Sequence, residues 1–239
     1  MEVTTIMNDI ELKENILDLT GIADLGFETL ENLIDPFLDS ALSAIPIVGL
    51  VKGIVKTGVA VREKHLLKKT LTFMKQLDIS LSEKDLILFN EYREKILSKD
   101  KYTIDELDRV LFILDKTVEI EKAKYIANAF YFYIDQRIDR NAFLEMITVL
   151  DTLMTRDLDV VRLLIRGNTK FENNAQKISR NRLIAAGVVN QESIDETDDE
   201  LHNYGLSKLG KAMGWFLLKE PGAPETMFTL YNTKSNIKD

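Results

Sequence analysis

Apolar residues recur at three- and four-residue spacing through most of this chain, and only four prolines and eleven glycines interrupt its 239 residues. Those two residue types cost a helix most. A sequence so poor in them and rich in Leu, Ile, Lys, Glu and Asp favours long helices over short strands and tight turns. The length suffices to bury a substantial core as one large helical unit or two small ones. No cysteine is present, which removes disulfides, thiolate zinc sites and thiol nucleophiles and fits a reducing cytosol. The opening residues MEVTTIMNDIELKENILDL are acidic where a secretory signal is basic, so a cytoplasmic address is expected.

Charge is segregated along the chain. Residues 1–39 hold ten acids against Lys13, giving −9, and residues 40–75 hold seven cations against Glu63, giving +6. The remaining residues bring the total to −8. The basic stretch can pair with the acidic one, or present a face to an anionic partner.

The pattern predicts a sequence of amphipathic helices. Ile10 to Leu33 suits one or two short ones. From Leu66 to Leu77, the positions Leu66, Leu67, Thr70, Leu71, Phe73, Met74 and Leu77 form the apolar side of a basic helix. Ser82 with Asp85 reads as a capping box before a helix ending at Leu97, and Thr103 with Glu106 repeats that spacing. In EIEKAKYIANAFYFYIDQR, the residues Tyr125, Ile126, Ala129, Phe130, Tyr133 and Ile134 lie on one stripe, a core signature. Asp139 caps the next helix, and the helix in RDLDVVRLLIRG ends at Gly167. After the polar stretch NTKFENNAQ, a helix in ISRNRLIAAGVV ends at Gly187. An acidic loop, a strand at Tyr204–Leu206 and a closing helix after Ser207 complete the pattern.

The most apolar part runs from Ala41 to Val61, about 31 Å if helical, which is enough to cross a hydrocarbon core. Lys52 and Lys56 argue against stable spanning, since each costs about 2.5–3.5 kcal/mol at mid-bilayer before snorkelling. Pro46 also interrupts the run. On a helix, Gly49, Lys52, Gly53 and Lys56 share one side, and Ile47, Leu50, Val51 and Ile54 share the other. Such a segment suits a membrane surface, with Ile45, Ile47, Leu50, Val51, Ile54 and Val55 inserting. Lys52, Lys56, Arg62, Lys64, Lys68 and Lys69 would then hold anionic headgroups, at about 1 kcal/mol per cation. It equally suits a core helix, packed closely through Gly49 and Gly53. A helix hidden in one state and released by a signal reconciles the two.

RNRLIAAGVV, the acidic loop and YGLSKLGKAMGWFL together resemble the second half of a winged-helix domain, over about residues 157–219. That resemblance implies a helix ending in Leu-x-x-x-Gly, a two-stranded wing, and a Tyr-x-Leu-Ser-x-x-Gly strand leading into a last helix. Ordinary DNA reading is disfavoured. The supposed wing carries Glu192, Asp195, Glu196, Asp198, Asp199 and Glu200, which repel phosphates. The usual helix before the recognition helix must also be short or missing. Lys177, Arg180 and Arg182 are the candidate nucleic-acid contacts, and protein contact is the favoured use of this module. In turn, IPIVGLVKGIVKTGVAVREKHLLKKTLTFMKQL resembles bacterial helical proteins of the abortive-infection or phage-defence type, over roughly residues 34–77 and 179–219. That likeness implies a defence-associated, membrane-directed role.

No catalytic motif is present. His65 and His202 lack metal-binding spacing, and no nucleophile elbow, phosphate-cradling loop or dinucleotide fingerprint occurs. The expectation is therefore a mainly α protein. Residues 1–155 form a helical domain holding the apolar, basic-flanked segment at 41–77. Residues 156–220 form a winged-helix-like domain with a small β-hairpin wing, and 221–239 form a tail. The expected function is that of a non-enzymatic membrane-directed effector or accessory protein, without cofactor or metal. Its partners are an anionic membrane surface or an acidic protein, and a protein bound through the carboxy-terminal domain. The alternative is a soluble adaptor that binds protein or, as the weaker option, DNA through its winged-helix-like end.

Overall fold

The computed structural model describes residues 61–80, 85–168, 171, 173–193 and 202–219. In these, the chain is mainly helical with one small antiparallel sheet. The helices are α1 (Val61–Ser80), α2 (Asp85–Leu97), α3 (Lys101–Lys116), α4 (Lys122–Ile134), α5 (Arg140–Thr152), α6 (Asp157–Ile165) and α7 (Asn174–Ala185). The strands β1 (Val189–Ser193) and β2 (His202–Leu206) follow, then α8 (Lys208–Ala212), which widens into a π-helical turn over Met213–Leu217.

The two stripes read from sequence meet at the centre. On α1, Leu67, Leu71, Phe73, Met74 and Leu77 are buried, and on α4 so are Tyr125, Ile126, Ala129, Phe130 and Ile134. Phe130 is the hub, with ring centroids 5.7 Å from Phe73, 5.4 Å from Tyr92 on α2 and 6.0 Å from Phe143 on α5. Each large apolar side chain withdrawn from water this completely contributes about 1.5–3 kcal/mol. The core continues without a seam from Leu67 to Leu217 and passes through the α5–α6 turn, where Leu153 and Leu158 are both buried.

Helix boundaries follow local chemistry. Asp139 caps α5 as its position suggests, its carboxylate accepting the Ala142 N–H at 2.7 Å. The capping box expected at Thr103 and Glu106 is corrected. Asp100 caps α3 instead, accepting from the Thr103 N–H at 3.0 Å and the Thr103 hydroxyl at 2.9 Å. Glu106 belongs to the interior, where its carboxylate accepts from the Tyr133 hydroxyl and from Arg140 Nε, both at 2.6 Å. Burial, and then this bond to Glu106, pushes the Tyr133 phenol above its ordinary range. The α7 helix begins earlier than the polar stretch suggested, through a capping box between Asn173 and Gln176.

At the carboxy-terminal end, the Leu-x-x-x-Gly and Tyr-x-Leu-Ser-x-x-Gly segments interlock. Gly187 ends α7 with φ +71°, a conformation that favours glycine. The hairpin pairs Val189 with Leu206 and Gln191 with Tyr204. Ser207 then ties both segments together: its hydroxyl donates to the Gly187 carbonyl at 2.6 Å and accepts from the Gly210 N–H at 3.0 Å. A side chain at Gly210 would overlap the Val188 carbonyl oxygen, so glycine is required there for α8 to lie against the turn. The closing helix reaches the main core as well. Phe216 packs edge-on to Phe132 at 5.2 Å, and the Asn128 amide donates to the Leu217 carbonyl at 2.7 Å.

Candidate functional site

Two groups of cations were singled out in the sequence, and the fold places them differently. Of the lipid-facing set, Ile45, Ile47, Leu50, Val51, Lys52, Ile54, Val55 and Lys56, with Gly49 and Gly53, lie outside the described residues. Arg62 and Lys64 lie on the first turn of α1, and Lys68 is half-buried on the same helix.

Lys69 corrects the headgroup assignment for that position. Its side chain is 1 % exposed, and its ammonium donates to the carbonyl oxygens of Asp115 at 2.9 Å and Thr117 at 2.8 Å. These carbonyls sit at the carboxy-terminal end of α3, where backbone oxygens lack helical partners and the helix dipole is negative. One stem thus crosses the core and closes a helix end. Nearby, His65 Nε2 donates to the Val118 carbonyl at 3.0 Å, a structural contact rather than a metal site. Among the described residues, no group of three His, Asp or Glu side chains is placed to hold a metal ion.

The second group belongs to α7. Arg182 bridges to α6: its Nε donates to Asp157 at 2.8 Å, and its Nη2 contacts the other carboxylate oxygen. Asp157 is wholly buried and also accepts the Met154 N–H at 2.8 Å. Burial works to raise the Asp157 pKa, but Arg182, Ser179 and the Met154 N–H outweigh it and hold the carboxyl below its ordinary value. The Arg180 guanidinium carbon lies over two aromatic rings, 4.4 Å from the centroid of Tyr204 and 5.5 Å from that of Phe171. This stacking fixes β2 against α7. Of the three proposed nucleic-acid contacts, Lys177 is exposed and Arg180 and Arg182 are half-buried.

What α7 turns outward is a face of Asn174, Ala175, Lys177, Ile178, Asn181 and Ala185. Its centre is Ile178, 54 % exposed. Sequence reasoning missed this residue as a surface feature because an isoleucine ahead of LIAAGVV reads as core.

A second feature, also missed, is a groove between α3 and α5. It measures about 520 Å³ and is lined by Asp105, Asp108, Arg109, Phe112, Arg140 and Leu144. An adjoining hollow of about 400 Å³ extends it past Asn141, Glu145 and Thr148. Phe112 is 64 % exposed at its edge. The run VLFIL conceals which of its apolar residues faces out. No family model, curated protein or solved structure matches the chain.

Proposed function

We propose that this chain is a non-enzymatic binding protein whose carboxy-terminal helix–hairpin–helix unit receives a protein partner on the outward face of α7. The observation that carries this reading is the exposed Ile178, set among Asn174, Ala175, Asn181 and Ala185 with Lys177 as the one exposed cation of the helix, while Arg180 and Arg182 are held within the fold. An apolar anchor ringed by hydrogen-bonding groups is protein-contact chemistry. A phosphate-tracking helix needs several free cations, and the six carboxylates from Glu192 to Glu200 in the sequence oppose a duplex. This is the use that the winged-helix likeness leaves open once DNA is disfavoured.

The test compares full-length Ile178→Asp with an equally exposed control, Val118→Asp, in cells of the source organism, using quantitative affinity capture after photocrosslinking. A discrete partner lost from the first variant and retained by the second supports the reading. Identical partner sets for both variants contradict it, as does salt-sensitive DNA retention by the wild type.

A second reading rests on the twelve uncharged residues from Ser40 to Val51 and the +6 stretch around them. In it the chain is a membrane-directed effector in a phage-defence role, with Ile47, Leu50 and Ile54 meeting acyl chains and Lys52 and Lys56 meeting headgroups. The buried apolar face of α1 narrows the lipid element to the segment before it. No helix among the described residues is long and apolar enough to cross a membrane. Flotation with anionic vesicles tests this reading. Binding by the wild type that disappears in Ile47→Asp/Ile54→Asp supports it, and no binding by either contradicts it.

A further inference from the structure

We infer that the end of the helical body where α1 starts is a lipid-facing surface, with Val118 and Met154 as its apolar contacts. The inference rests on the membrane-directed reading and adds a second surface to the segment which that reading invokes. Val118 is 80 % exposed and Met154 44 %. They stand on the turns that follow α3 and α5, and these turns are tied to each other. The Glu119 carboxylate accepts the Thr155 N–H at 3.0 Å, and the Lys122 ammonium donates to the Asp151 carbonyl at 3.3 Å. The two side chains are therefore presented as one fixed patch.

Position and charge together point to lipid as the occupant. His65, on the second turn of α1, donates to the Val118 carbonyl at 3.0 Å, so the patch lies beside the start of that helix. The uncharged residues 40–51 come shortly before this start in the sequence. Apolar residues joined so closely to one end of a body can enter the same acyl boundary as that end, and the apolar areas then add. Charge agrees. Asp151 is engaged by Lys116, Glu119 by Lys122 and the Thr155 N–H, and Glu121 by the Tyr125 hydroxyl at 3.1 Å. Arg156, close to Met154, and Lys124, on the first turn of α4, are exposed and in no ion pair among the described residues. A fixed apolar patch with unpaired cations at its border suits anionic headgroups above an acyl layer.

Binding of the full chain to vesicles of phosphatidylglycerol and phosphatidylcholine tests the inference. Val118→Asp/Met154→Asp should raise the half-saturating lipid concentration about tenfold or more, because charge replaces both apolar contacts. Ile178→Asp, outside the patch, should bind as the wild type does. If the double variant binds as tightly as the wild type while Ile47→Asp/Ile54→Asp fails to bind, this inference is overturned and the membrane-directed reading stands. A wild type that binds no vesicles overturns both. A second measurement keeps the fold of the double variant out of the question. The chain has no cysteine, so an environment-sensitive dye on Val118→Cys reports from a single site. Its emission should move to the blue when vesicles are added, and a dye on Ile178→Cys should not change. Unchanged emission at position 118 overturns the inference. A blue shift that follows protein concentration without vesicles overturns it too, because the patch then belongs to a second copy.

Discussion

Helices α1 and α7 both carry clustered cations, and the fold employs them in different ways. On α1, Lys69 is drawn through the core to the carbonyls that end α3, so its charge is answered by backbone oxygens. On α7, Arg182 and Arg180 stay near the surface but are held by a buried carboxylate and by two aromatic rings. Lys69 on α1 and Arg180 and Arg182 on α7 are thus engaged within the fold, and Lys177 on α7 is exposed. The difference lies in what remains outward: α1 has its apolar side in the centre of the core, whereas α7 leaves Ile178 facing water. A count of basic residues measures potential for anion binding, and partners already supplied by the fold decide how much of it is left.

The comparison can be broken most forcefully at Lys69. Lys69→Glu sets a buried carboxylate against carbonyl oxygens, so unfolding by urea should show a loss of about 3–5 kcal/mol, the range for an uncompensated buried charge. Lys69→Met keeps the stem and takes a donor from the helix-end carbonyls, at about 1–3 kcal/mol. If both variants were as stable as the wild type, the cation would not be serving the core.

Gly210→Ala should cost about 1–3 kcal/mol by overpacking, because the added methyl meets a backbone carbonyl that α8 and the Gly187 turn hold in place. Thermal unfolding measures it, and the loss should disappear only if α8 shifts.

Arg182→Met sharpens the α7 side, with an expected loss of about 1–3 kcal/mol at neutral pH from the carboxylate left unpaired. The pH dependence gives the sign. Asp157 has a folded pKa below its ordinary 3.8. Its stabilisation is thus complete above that value and is lost as pH falls through the depressed folded value. The wild type should lose stability more steeply than Arg182→Met in that acid range.

The smallest effect belongs to Ile178→Asp, which should change stability by about 0.5 kcal/mol or less, as exposed positions do. A larger loss would mean that Ile178 is a packing residue, and the contact surface would lose its anchor.

Much of the fold was legible where a single helix supplies its own evidence. The α1 and α4 stripes, the Asp139 cap and the glycine endings at Gly167 and Gly187 all follow from spacing within a few residues. The α3 start was misread because Asp100 and Thr103 both satisfy the cap pattern, and only the extra turn from Lys101 to Thr103 decides between them. Partnerships across distance stayed hidden: nothing local marks Lys69 for the end of α3, or Arg182 for an aspartate twenty-five residues away. The outward exposure of Phe112 and Ile178 was hidden for the same reason. Each stands beside residues that are buried, and only the packing of neighbouring helices distinguishes them.

Hydrogen exchange along α1, measured with and without anionic vesicles, tests the account most directly. With its apolar face in the core, α1 should have amides 66–77 among the slowest to exchange, with the same protection in both conditions. Selective loss of that protection when vesicles are added would show that the helix leaves the core for lipid, and would contradict it.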